Sequence, residues 1–166
     1  MSTKASPKID ISPPAEEGVA FRALESVIRK DPTLSPHIKT FLAQHDTDEE
    51  LFEPSYELCP YIRMDPFATQ SIWITEGQHK MDMTVDFVIG VRGLDVVNLM
   101  NFWALIRRAV FSQSISEAMA VQSKLTQALI LRPEMTLNAY SSPRIDEGFR
   151  YRVGGGRIRC AMLINT

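Results

Sequence analysis

The chain has 166 residues, of which 45% are apolar and 23% charged, as expected for one soluble globular domain. Its formal net charge is −2, so it lacks the basic excess of proteins that bind nucleic acid mainly through phosphates. Cys59 and Cys160 form no C-x-x-C pair, which argues against a disulfide framework and favours buried thiols in a reducing compartment.

Residues 1–15 predict an extended or disordered arm that precedes the folded domain. Pro7, Pro13 and Pro14 occur there among Ser, Thr and Lys residues, and this composition offers little surface to bury. An alternative is that the arm lies on a neighbouring subunit. The sequence has no apolar stretch suited to a secretory signal or a membrane span, so we expect synthesis in a cytoplasm.

Two helices are predicted next. Apolar residues recur at spacings of three and four from residue 16 to residue 31, and Pro32 ends that helix. A shorter helix is predicted over residues 36–44, with Pro36 at its first position. Residues 45–55 follow as an acidic connector, which we expect to be solvated.

Strand patterns begin after this connector. Residues 58–64 and 69–75 predict two short strands, and Pro60 marks an edge or a bend in the first. Gly77 predicts a hairpin turn, after which apolar residues occupy the odd positions from 81 to 91. This period of two predicts a long strand with one buried face.

A long, largely buried helix is predicted over residues 96–111, because apolar residues recur there at helical spacing. Asp95 precedes it and is a favourable N-cap. A second helical stretch is predicted over residues 116–129, Pro133 ends it, and residues 135–140 predict a strand.

The last segment predicts a hairpin. Apolar and polar residues alternate over 149–153 and again over 157–164, and the glycines at 154–156 would form the turn between them. On such a two-stranded ribbon the four arginines of the segment can share one face. This face would be solvated, an interface with a subunit or an acidic partner, or, as a third alternative, a nucleic acid contact. These arginines are Arg150, Arg152, Arg157 and Arg159.

One motif raises the question of nucleic acid binding. Gly90 and Gly93 have the G-x-x-G spacing with which KH domains clamp single strands. A KH clamp needs a helix on each side, whereas the residues before Gly90 alternate with period two. Asp82 and Asp86 also lie close to the motif, where they would repel phosphates. A strand-to-helix turn is therefore favoured, with a KH-like module as an alternative.

The sequence predicts no catalytic, cofactor or metal site. His37, His45 and His79 lack the spacing of metal ligands, and neither a nucleophile elbow nor a Cys–His pair is visible. Trp73 and Trp103 lie in apolar segments, which favours the core over a ligand platform. We therefore expect that the protein is not an enzyme.

Together these elements predict an α+β fold, with one domain over residues 16–166. We expect a mixed, mainly antiparallel sheet of about four to six strands, packed on one face by the long helix and the N-terminal helix. An open sheet has unpaired edges, which neighbours in an oligomer would cover.

The order of elements resembles that of bacteriophage tail terminator proteins, also called tail completion or minor tail protein U-like proteins. The resemblance extends over residues 16–166, and SIWITEGQHKMDMTVDFVIGVRGLDVVNLMNFWALIRRAVF carries it best, because a hairpin there leads into a long helix through Asp95. Neck proteins of the head-completion, stopper or adaptor type are the nearest alternative.

This resemblance implies a structural virion protein of the tail or neck, made in the host bacterial cytoplasm. Such proteins form a ring, typically a homohexamer, on the last ring of the tail tube. They stop tube polymerisation and present a surface to the head–tail connector, and DNA passes through the lumen without sequence readout. We expect no cofactor, no metal and no membrane contact.

Three parts of the chain are the expected subunit or partner contacts: the proline-rich arm, the start of the long strand, and the arginine-rich segment. The residues concerned are Pro13, Pro14, Gln78, His79, Lys80, Arg150, Arg152, Arg157 and Arg159.

Overall fold

The computed structural model describes residues 16–43, 55–112, 115, 117–118 and 128–165, and these form an α+β fold. The helices are α1 (Glu16–Lys30) and α2 (Val96–Ser112), with a short 3-10 helix at Ser35–His37. The strands are β1 (Thr40–Ala43), β2 (Tyr61–Thr75), β3 (Gln78–Arg92), β4 (Ala128–Asp146) and β5 (Phe149–Asn165). The predicted arm at 1–15 and most of the acidic connector lie outside the described residues.

The described strands form one mixed sheet in the order β1-β2-β3-β5-β4. β1 is parallel to β2, and the pairs β2–β3, β3–β5 and β4–β5 are antiparallel. The predicted mixed, mainly antiparallel sheet is therefore confirmed. Within the described part, β4 pairs only with β5, and β2 has an outer neighbour only over Tyr61–Met64. Both edges leave backbone groups available for pairing.

The main core lies between the helices and one face of the sheet. The odd-numbered apolar residues of β3 all belong to it, as their period of two predicts. Leu24 and Ile28 of α1 and Trp103 of α2 are buried against them, and the Trp103 ring meets the Phe87 ring edge-on, with centroids 6.1 Å apart. This confirms that the long helix and the N-terminal helix pack on one face.

The predicted cap of α2 is confirmed as well. The Val97 N–H donates a hydrogen bond of 2.8 Å to Asp95 Oδ1, which satisfies one of the unpaired amides at the start of the helix. Gly93, two residues earlier, has a φ of +83°, a backbone conformation that favours glycine.

A smaller apolar cluster occupies the opposite face of the sheet. Cys59, Tyr61, Tyr151 and Val153 are buried in it. Gly90 makes this packing possible, because a Cβ atom at position 90 would lie 2.6 Å from Tyr61 Cζ. Together with Cys160, which is buried in the main core, Cys59 is a free thiol, so the prediction of two buried thiols is confirmed.

The predicted C-terminal hairpin is wrong. β5 is one continuous strand, and Gly154–Gly156 lie within it, paired with β3 on one side. The turn instead lies at Glu147 and Gly148, whose φ values are 46° and 87°. Gly156 serves packing, since a Cβ atom there would lie 2.5 Å from Trp103 Cζ3.

The predicted helix over residues 36–44 is also wrong. A 3-10 turn ends at His37, and β1 begins at Thr40. The Lys39 and Thr40 N–H groups both donate to the Pro60 carbonyl, at 2.8 and 3.2 Å, which brings this segment alongside β2. Strand pairing thus takes up the backbone groups that a helix would have paired internally.

Two other boundaries differ from prediction. The segments predicted as separate strands at 58–64 and 69–75 belong to a single strand, β2, which has a bulge between Pro66 and Ala68. The last residues of the predicted helix at 116–129 lie in β4, which begins at Ala128 and includes the predicted strand at 135–140. Most of that predicted helix lies outside the described residues.

Candidate interaction surface

The four β5 arginines do not share a face, so that prediction is wrong. In a continuous strand, even and odd positions point to opposite sides, which separates residues 150 and 152 from residues 157 and 159. Arg152 Nε donates to the Leu94 carbonyl at 2.9 Å and thereby ties β5 to the loop that enters α2. Arg150 is exposed, and its carbonyl accepts a hydrogen bond from the Gly93 N–H at 2.8 Å.

Arg157 and Arg159 belong to an ion-pair ladder on the face away from the helices. Arg157 is bidentate to Asp86, with Nε 2.7 Å from Oδ1 and Nη2 3.2 Å from Oδ2. Arg159 Nη2 lies 2.8 Å from Asp82 Oδ2, and Lys80 Nζ lies 3.3 Å from the same oxygen. These five residues define the ladder.

The pairing within the ladder changes its acid–base properties. The hydrogen bond from Arg159 holds the pKa of the Asp82 carboxyl below its usual value, and hydrogen bonding to Asp82 raises the pKa of Arg159. Hydrogen bonding to Asp86 likewise raises the pKa of Arg157. These two arginines therefore bind internal carboxylates and are poor candidates for an open cationic surface.

The remaining predicted contact residues fall into two groups. Gln78, His79 and Lys80 begin β3 beside the β2–β3 turn, where they are half-buried and pair with the end of β5. Pro13 and Pro14 lie outside the described residues.

The tip of the β2–β3 hairpin exposes three apolar side chains. Trp73 is 75% exposed, and Ile72 and Ile74 on either side of it are also exposed. The predicted core position of Trp73 is wrong, whereas Trp103 is buried as predicted. Every residue from Ser71 to Glu76 is exposed, so side chains on both faces of this end of β2 are open to solvent.

A second apolar tip lies at the opposite end of the sheet. Ile145 and Phe149 flank the β4–β5 turn and are exposed, and the Phe149 ring stacks on Tyr56 with centroids 4.8 Å apart. The start of β3 pairs with the end of β5, so the β2–β3 and β4–β5 turns lie at opposite ends of these two strands.

A third apolar surface follows the outside of α2. Val97, Met100 and Phe111 are exposed, and their spacing of three and eleven residues places them along one side of the helix. The buried residues of α2, such as Leu99 and Ile106, form a separate stripe. The two arginines at 107 and 108 are exposed on the same side, so this surface is mixed, and its apolar side chains are candidate contacts for a second partner. We call Val97, Met100 and Phe111 the outer stripe.

The sequence contains one signal that predicts the outer stripe. The apolar residues of 96–111 cover a wider arc than one packing partner requires, which predicts either complete burial or a second contact. For the two hairpin tips, the sequence gives no comparable signal, because exposure there depends on where the helices end.

No group of three or more His, Cys, Asp or Glu residues in the described part of the chain is arranged to hold a metal ion. Burial raises the pKa of the Cys59 thiol to about 11 and that of Cys160 to about 12, so neither is a thiolate near neutral pH. In the same part of the chain, no helix has the length and apolar character to cross a membrane.

A comparison of the sequence with protein-family models and with curated proteins finds no match.

Proposed function

We propose that this chain is a structural virion protein of the tail terminator type. In this proposal it forms a ring at the head-proximal end of a phage tail, stops tube polymerisation and attaches the head connector, while DNA passes through the lumen. The observation that carries the proposal is that three separate apolar surfaces are exposed on one small domain: the two hairpin tips and the outer stripe of α2.

A subunit of such a ring needs contacts in several directions. It must meet neighbours on both sides, the tube at one end and the connector at the other. The β2–β3 and β4–β5 tips lie at opposite ends of the sheet and suit the two axial partners. The outer stripe and the edges of β2 and β4, which have no further partner among the described strands, suit lateral neighbours.

The KH-like alternative has less support. Residues 78–92 are a strand, so the helix that a KH clamp needs before Gly90 is absent from this described segment. The space beside Gly90 is taken by the Tyr61 ring, which explains the glycine by packing alone.

Light scattering over a range of protein concentrations tests ring formation. We expect the mass to rise to a defined multiple of the subunit mass, and Met100→Asp should lower that mass because it places a charge in the outer stripe. Asn101→Asp is the matched control, since it adds the same charge at the adjacent exposed position. A protein that stays monomeric at every concentration, with and without tail tube protein, would refute the proposal.

A binding measurement tests the axial contacts and separates this proposal from a neck protein. We expect the protein to bind the tail tube protein of the same phage, and Trp73→Ser to weaken binding to one axial partner at least tenfold, because an exposed Trp is a typical hot-spot residue. Thr75→Ser at the same tip is the control. Binding to the connector but not to the tube protein would favour the neck alternative.

A further inference from the structure

We propose that an apolar pocket at the start of α1 binds the N-terminal segment of a neighbouring copy, with Ile9 and Ile11 as the inserted side chains. This inference rests on the proposed ring, in which it adds a lateral contact between subunits. It assigns a role to an apolar pocket lined by residues of α1, β2 and β3.

The pocket has a volume of about 380 Å³ and lies between the first two turns of α1 and the sheet. The buried side chains of Phe21 and Met83 contribute apolar lining, and Pro66 and Thr69 of β2 line its exposed side. Such an apolar cavity at the protein surface suits branched aliphatic side chains.

The glycine at position 18 is a second feature of the pocket that needs an explanation. It lines the pocket from the first turn of α1, and a Cβ atom added there would meet nothing within 4 Å. Glycine lowers helix stability, and the described part of this subunit offers no steric reason for it. A glycine at this position does, however, keep the opening of the pocket wide.

The adjacent sheet edge provides backbone groups for the same ligand. Beyond Met64, β2 has no outer neighbour among the described strands, and the pocket residues Pro66 and Thr69 belong to this edge. A peptide laid along it would gain main-chain hydrogen bonds and direct every second side chain towards the pocket.

The N-terminal segment has the matching pattern. Residues 8–12 read Lys-Ile-Asp-Ile-Ser, so Ile9 and Ile11 share one side of an extended chain. This apolar pair belongs to the 15 residues that join α1 at Glu16.

The two prolines after this segment favour a neighbour's pocket over the subunit's own. Two consecutive prolines, Pro13 and Pro14, disfavour a tight chain reversal between Ile11 and Glu16. The subunit's own pocket lies within the first two turns of α1, from Glu17 to Arg22. Ile11 could enter that pocket only through such a reversal, so a neighbour's pocket suits it better.

A disulfide trap between single-cysteine additions tests the proposal. Ile11→Cys and Thr69→Cys proteins are prepared separately, mixed, and oxidised mildly, and products are separated on a non-reducing gel. The native cysteines are buried and do not compete. We expect a covalent dimer that contains one copy of each variant. Thr136→Cys, at an exposed threonine of β4, replaces Thr69→Cys in the control mixture and should give no such dimer.

A blocking variant and the double variant complete the test. Gly18→Leu fills the opening, so we expect it to lower the yield of the linked dimer at least fivefold when it is added to the Thr69→Cys protein. A link within one chain of the Ile11→Cys/Thr69→Cys double variant would overturn the proposal, as would the absence of any link. If rings form but no disulfide between positions 11 and 69 appears, this inference is wrong and the proposed function is unaffected. If light scattering shows only a monomer, the proposed function itself is wrong.

Discussion

Replacing Gly156 by alanine gives a direct test of why the middle of β5 contains glycines. The added Cβ atom would lie 2.5 Å from Trp103 Cζ3 and 2.9 Å from Cζ2, whereas non-bonded carbon atoms prefer about 3.5–4.0 Å. The indole would have to move by about 1 Å, away from a site where it is buried against Phe87.

The expected magnitude follows from two opposing effects. Overpacking of this kind costs about 1–3 kcal/mol, and the loss of backbone freedom in the unfolded chain returns about 0.4–1 kcal/mol. We therefore expect Gly156→Ala to lower the free energy of unfolding by about 1–2 kcal/mol. Gly155→Ala is the matched control, because its Cβ atom meets only the Phe87 carbonyl oxygen, at an ordinary 3.7 Å. It should be neutral or stabilise by up to about 1 kcal/mol.

Urea unfolding followed by far-UV circular dichroism, at one fixed protein concentration, measures both variants. The double variant Gly156→Ala/Trp103→Phe removes the outer ring atoms that the new methyl group meets. Its loss in free energy of unfolding should therefore be smaller than the sum of the losses in the two single variants. Equal free energies of unfolding for the Gly155 and Gly156 variants would refute the packing explanation.

Three further predictions follow from other features. Asp82→Asn should lower the free energy of unfolding by about 1.5–3 kcal/mol at pH 7. Because the pKa of Asp82 is depressed in the folded protein, this difference from wild type should shrink as the pH falls below about 4. Unfolding curves at pH 7 and pH 3 measure the change. Cys59 and Cys160 should react slowly with a thiol reagent at pH 8 in the folded protein and fast in denaturant, and fast reaction of both when folded would contradict their burial. Asp95→Ala should cost about 1 kcal/mol through loss of the α2 cap, and an unchanged thermal midpoint would count against that role.

The parts of the fold that the sequence predicted correctly depend on local patterns. The alternation from 81 to 91 identified β3 and its buried face, because a period of two has no helical equivalent over that length. Asp95 identified the start of α2, because the cap bonds an amide only two residues away. Such signals are contained within a single element and need no knowledge of its neighbours.

The errors have the opposite origin. Three glycines in a row resemble a turn, but the reason for Gly156 is the ring of Trp103, which is distant in sequence. A turn at these glycines would reverse which side of the ribbon even and odd positions face. For that reason the sequence predicts one shared face for the arginines at 150 and 152 and those at 157 and 159. The apolar neighbours of Trp73 predict a core position, although its side chain is exposed at the end of β2.

The candidate surfaces were predicted less well than the fold. The expected contacts Arg157 and Arg159 are instead bound within the ladder, and the tips and outer stripe were not expected. Sequence patterns report which residues are apolar, but exposure follows from the lengths of neighbouring elements, which only the assembled fold provides.

The pairing of β3 with β5 also sets the distance between the β2–β3 tip and the β4–β5 tip. The two strands are in register from Gln78 to Arg92, fifteen residues that span about 50 Å in extended form. This span fixes the separation of the two hairpin tips and so, in the proposed assembly, the thickness of the joint between tube and head. Adding two residues to each strand would lengthen that spacer by about 7 Å and keep the same side chains towards the helices. Adding one would turn the core face outward, so the height of such a joint can change only in steps of two residues.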